Sequence, residues 1–94
     1  MFTIDSEETL NHVMQDRSYP LVVLDIYADW CTPCKLIAPR LDELSTQYPN
    51  VRFCKLNVES NLKPNISNLP TIEFWQIKGD VRHLLQSVEG AWAD

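Results

Sequence analysis

An almost unbroken apolar run, Leu21-Val22-Val23-Leu24-Asp25-Ile26-Tyr27-Ala28, hands over through Asp29 and Trp30 to Cys31-Thr32-Pro33-Cys34 and then to a helical pattern. A run that is apolar at both alternating positions describes a strand covered on both faces, as in the middle of a mostly parallel sheet. After the cysteines, apolar side chains at Cys34, Ile37, Leu41, Leu44 and Tyr48 recur at spacings of three and four, the mark of one buried helix face. A strand feeding a helix places the junction at the carboxyl end of a sheet, where α/β proteins concentrate their chemistry.

The junction carries two thiols three residues apart. On a first helical turn they share a face and are close enough for a short-loop disulfide. Unpaired N–H groups and partial positive charge at the helix start favour the thiolate form of Cys31. Pro33 suits that turn, because its missing N–H would have had no intrahelical partner. These features predict a dithiol redox site with Cys31 as the more exposed sulfur. A C-x-x-C pair is also half of a zinc site, but a structural zinc usually takes four ligands. Only Cys54, His12 and His83 remain, and none forms a second close pair, so no metal is expected. Inert buried thiols are the other reading, and the strand-to-helix context favours redox over it. Cys54 itself reads as a buried packing thiol, since free cysteines are usually buried.

Asp25 interrupts the apolar run. A carboxylate there is costly unless paired, and burial pushes its pKa upward. It either hydrogen-bonds backbone near a sheet edge or accepts a proton beneath the thiols. Perturbed carboxylates gather at active sites, which favours the second.

Charge and length exclude several classes. A formal charge of −5 over 94 residues argues against nucleic acid or an anionic membrane as partner, since both call for basic patches. No apolar stretch approaches the ~20 residues of a membrane span. The opening Met1-Phe2-Thr3-Ile4-Asp5 lacks the basic and apolar regions of a signal peptide, and three cysteines make no secreted disulfide framework. Residues 1–94 are therefore expected to form one domain in a reducing cytoplasm.

Elsewhere the pattern predicts a short strand at residues 2–4 and a helix ending near Arg17, with Asp5 or Ser6 as N-cap and Asp5/Glu8 as a capping box. Residues 51–58 read as a strand with Val51, Phe53, Lys55 and Asn57 on one face. Residues 59–69 read as a loop with at most one helical turn. Residues 71–77 and 81–88 then form a hairpin about Lys78-Gly79-Asp80.

Asp25, the block Tyr27-Ala28-Asp29-Trp30-Cys31-Thr32-Pro33-Cys34, Lys35, Pro39, Lys55-Leu56-Asn57-Val58-Glu59, Leu69-Pro70-Thr71 and Gly90-Ala91 together resemble the thioredoxin family over nearly the whole chain. The resemblance implies a central mixed sheet flanked by helices and a protein-disulfide reductase, the alternatives being an oxidase or isomerase of the same fold or a non-catalytic thioredoxin-like binding subunit. It implies Cys31 as attacking thiol, Cys34 as resolving thiol, Asp25 as the acid under Cys34 with Lys55 as neighbour, and Pro70 as a cis proline facing the disulfide. Trp30, Thr32, Leu69 and Gly90 would line the partner groove. No cofactor is implied beyond the Cys31–Cys34 couple. Partners would be disulfide-bearing proteins and a recycling disulfide reductase.

The chain departs from the family in three places. Thr32 stands where glycine is usual. The loop before Pro70 is shorter, with Asn65 and Asn68 where glycines are common, and asparagine accommodates positive φ. The last helix of the family is missing after Gly90-Ala91, so a sheet face is expected to be left partly open. Weak dimerisation, a fold-back of Trp92 over the gap, or lower stability would answer that opening. The fold-back is favoured, because one Trp covers on the order of 150–250 Å².

Overall fold

The computed structural model describes residues 1–90. Five strands form one sheet in the order β1-β3-β2-β4-β5. They are β1 (Phe2–Ile4), β2 (Leu21–Tyr27), β3 (Val51–Asn57), β4 (Thr71–Lys78) and β5 (Val81–Glu89), with helices α1 (Glu7–Gln15) and α2 (Thr32–Gln47) between them. The β1/β3 and β2/β3 pairs are parallel and the β2/β4 and β4/β5 pairs antiparallel, so the sheet is mixed. β2 lies in the middle, and Val22 to Ile26 are all buried, as its continuous apolar pattern requires.

Each face has its own core. On one, Val13 and Met14 of α1 pack with Ile4, Val22, Leu24, Ile26, Cys54 and Leu56. On the other, Ile37 and Leu41 of α2 pack with Val23 and Ile72. The strand alternation thus sorts odd and even residues of β2 onto different helices.

Several boundaries differ from the sequence expectation. Ser6, not Asp5, caps α1: its side chain accepts from the Thr9 N–H at 3.1 Å, and the Thr9 hydroxyl accepts from the Ser6 N–H at 3.0 Å. A hydroxyl at Thr9 therefore closes the capping box in place of Glu8. The helix stops at Gln15, where Asp16 takes an extended C-cap and accepts from the Ser18 N–H at 2.9 Å. Tyr48, expected on the buried face of α2, is the C-cap and is 55% exposed, because the helical period ends at Gln47. β3 ends at Asn57, and Val58–Ser60 form a 3-10 turn. The one non-glycine residue at positive φ among the described residues is Asn61 (φ 62°), not Asn65 or Asn68. It closes the 3-10 turn, where a left-handed residue lets the chain reverse.

On the α2 face an apolar groove of about 370 Å³ lies between Leu21, Val51, Phe53, Phe74, Leu85 and Tyr48. The fold-back of Trp92 lies outside the described residues.

Candidate functional site

β2 ends at Tyr27, and α2 begins at Thr32 with Cys31 as its N-cap. Cys31 and Cys34 are joined as a disulfide, with Cα atoms 5.3 Å apart. The Cys34 N–H donates to Cys31 Sγ at 3.2 Å, one of the orphan donors at the helix start. Pro33 occupies the first turn, as its chemistry predicts. Both cysteines are buried, at 5% and 3% exposure, so accessibility separates them far less than the sequence implied.

What separates them is the space each one borders. Cys31 lies on an open groove whose near wall is Trp30, Thr32 and Pro33. The far wall is Val58, Ile66, Ser67, Asn68 and Leu69. Trp30 is 67% exposed at the rim of that groove. Cys34 instead borders a cavity of about 190 Å³, shared with Asp25, Ala28, Lys35, Ala38 and Lys55.

Asp25 sits on β2 opposite Lys55 of β3, in a parallel register that puts both side chains on the α2 face. Its carboxylate is buried, and Oδ1 has no hydrogen-bond partner. The sheet-edge alternative fails, because β2 is interior. Burial raises the Asp25 pKa from 3.8 to about 6; Lys55 pulls it down and Asp42 pushes it up by less than burial does. A carboxyl poised there exchanges protons near neutral pH.

Leu69–Pro70 is cis, as the resemblance implied. Leu69 packs against the cysteine cluster, and the Pro70 carbonyl accepts from the Gly90 N–H at 2.9 Å. Gly90 has φ 84°, a conformation side chains rarely adopt, but it does not line the groove. Val58 and residues 66–68 do line it, and sequence reading missed them because a loop has no period to follow.

Among the described residues no cluster of His, Cys, Asp and Glu has the makings of a metal site, and no helix is long and apolar enough to cross a membrane. Cys54 is fully buried, and burial pushes its thiol up to about 11. After reduction, alkylation at pH 7 is therefore expected to label Cys31 first and Cys54 last, which peptide mass mapping checks. Early labelling of Cys54 would contradict the assignment.

A family model described as Thioredoxin matches residues 2–92. The chain is 50% identical to thioredoxin-T of Drosophila melanogaster, over 84% of this chain and 52% of that protein. It is 44% identical to thioredoxin-1 of Saccharomyces cerevisiae, over 64% of this chain and 59% of that one. The chain thus spans little more than half the length of these two relatives. Its fold matches the crystal structure of Chlamydomonas reinhardtii thioredoxin f2 with a TM-score of 0.79 at 32% identity, over 97% of this chain and 84% of that one. The family model spans nearly the whole chain, dithiol included, and the chain belongs to the thioredoxin family.

Proposed function

We propose that the chain is a protein thiol-disulfide oxidoreductase that reduces disulfides in partner proteins through Cys31 and Cys34. The observation that carries this reading is the division at the site. One sulfur borders an open groove, and the other borders a cavity holding an unpartnered carboxyl that titrates near neutrality.

In the reduced protein, Cys31 thiolate attacks one sulfur of a target disulfide. The target S–S bond breaks, a Cys31–target bond forms, and the second target sulfur leaves as a thiolate that takes a proton. Cys34 then gives its proton to Asp25 and attacks Cys31 Sγ. The Cys31–Cys34 bond forms, the first target sulfur leaves, and the proton passes outward through Asp25. Two electrons move from the dithiol to the target. Lys55 holds the Asp25 pKa within working range, and Pro33 and Pro70 shape the backbone around the sulfurs. Trp30, Thr32 and Leu69 meet the partner, and Gly90 stands behind them on the Pro70 carbonyl.

The couple needs no bound cofactor, and a separate disulfide reductase returns two electrons. Residues 1–94 act as one domain, as a monomer or weak dimer, in the cytoplasm. Turbidimetric reduction of insulin in the presence of dithiothreitol tests the reading, and absence of acceleration refutes it. Thr32 sits on the groove beside Cys31, so the poise of the couple decides between reductase and oxidase or isomerase. Equilibration against glutathione is expected to give a midpoint below about −230 mV, whereas an oxidase lies toward about −120 mV.

A further inference from the structure

Apart from Val58, the far wall of the groove belongs to a loop, residues 61–69, that has no regular structure of its own. Leu62, Ile66 and Leu69 pack on the α1-side core, which holds the loop down without fixing its position along the sheet. Among the described residues three polar ties join it to the sheet by side chains. Two hold its carboxyl end: Thr71 Oγ1 donates to the Asn68 carbonyl at 2.5 Å, and Asn68 Nδ2 donates to Glu89 at 3.4 Å, long and exposed. The third holds its amino-terminal part: Lys63 Nζ to Glu73 Oε1 at 3.1 Å, with side chains only 26% and 9% exposed.

The Lys63–Glu73 tie is built. Glu73 lies on β4, on the face opposite Asp25, and its Oε1 also accepts from Trp75 Nε1 at 3.0 Å. Lys63 Nζ stands 5.2 Å from the centre of the Trp75 ring, so the ammonium meets a carboxylate and a π face together. A carboxylate this buried requires a partner, and Lys63 is the only basic residue between Lys55 and Lys78. Pro64 follows immediately and fixes φ at the next position, so the anchor at Lys63 transmits its position toward Ile66.

We propose that Lys63, held by Glu73 and Trp75, is a positioning residue for the partner-docking groove. With Asn68 held by Thr71, the pair sets how the stretch ahead of it, Ile66 and Ser67 above all, stands relative to Cys31, and so how well a protein disulfide seats there. The chemistry of the sulfurs is untouched. This rests on the oxidoreductase reading above for its kinetic consequence, and on the loop geometry alone for its structural one.

Lys63→Met removes the charge while keeping the length of the side chain. It is expected to raise KM for insulin about tenfold, equivalent to about 1.4 kcal/mol of docking free energy, with kcat within about twofold. The rate toward a small aromatic disulfide, 5,5′-dithiobis(2-nitrobenzoate), should stay unchanged, because that substrate needs no far wall. Lys63→Arg should retain the low KM, and Glu73→Gln should behave as Lys63→Met does. Methyl relaxation should show lower side-chain order at Ile66 and Leu69 in Lys63→Met, with Ile4 and Val13 unaffected. An unchanged KM, an equal loss toward both substrates, or unchanged order at Ile66 and Leu69 would each overturn the proposal. If the parent protein reduces no disulfide, the oxidoreductase reading fails, and the methyl measurement still decides the role of Lys63.

Discussion

Mixed with a disulfide-bonded target, the Cys34→Ser protein is expected to accumulate as a covalent mixed disulfide through Cys31. Cys31→Ser should form no such complex and should lose turnover on the order of 10³-fold or more, as when a nucleophile is removed from a site that acts as a unit. The asymmetry follows from the structure. Only Cys31 borders the groove where a macromolecular disulfide can approach, and Cys34 faces the cavity above Asp25. With Cys34 gone, nothing remains within reach to resolve the intermediate, because Cys54 is buried in the core on the other face of the sheet. A non-reducing gel with mass mapping of the adduct reads the result. Trapping by Cys31→Ser, or an adduct on Cys54, would reverse the assignment.

Much of this site was legible in the chain because the governing patterns are local. The run from Leu21 to Ala28 could be satisfied only by a strand with cover on both faces, and β2 is the interior strand. Strict alternation fixed which face Asp25 shares with Val23 and Tyr27. Parallel pairing then set Lys55 directly beside Asp25. Cys31 at the N-cap and Pro33 in the first turn follow from the orphan donors of a helix start.

What escaped is long-range or depends on a close competition. Asp5 and Ser6 are both good caps, and the choice fell to the residue that Thr9 could answer with its own hydroxyl. The groove wall at residues 66–69 is aperiodic, and its position depends on packing against strands elsewhere in the chain. The Lys63–Glu73 tie crosses the cis proline turn, so neither helical nor strand spacing relates the two residues. Asp25 and Glu73 were equally conspicuous in sequence as acids among apolar neighbours. Their surroundings separate them. Glu73 has an ammonium and an indole N–H on one oxygen, whereas Asp25 Oδ1 has no hydrogen-bond partner. A paired buried carboxylate holds structure together, and an unpaired one is left available to protons.

That availability has a stability cost with a definite pH window. The Asp25 pKa is raised by folding from 3.8 to about 6, chiefly because burial disfavours the charged form. Between those values the folded chain binds more protons than the unfolded chain, so stability falls as pH rises through the window. Toward pH 4 the penalty shrinks to under about 1 kcal/mol, because the folded acid is neutral and the unfolded one is close to half protonated. Above about pH 7 both are ionised and the penalty is complete, about 3 kcal/mol. Asn reproduces the protonated acid in size and neutrality. Asp25→Asn should therefore come within about 1 kcal/mol of the parent protein near pH 4 and exceed it by about 3 kcal/mol at pH 8. For a domain this small that is a rise in Tm of more than about 10 °C. The same substitution removes the proton acceptor proposed for Cys34, so release of the mixed disulfide should slow while the first attack by Cys31 persists. Urea unfolding of both proteins at pH 4, 6 and 8 measures the stability arm, and single-turnover kinetics measures the other. A stability difference that stayed constant across that range would mean the gain came from packing, and the buried carboxylate would lose its claim to a proton-transfer role.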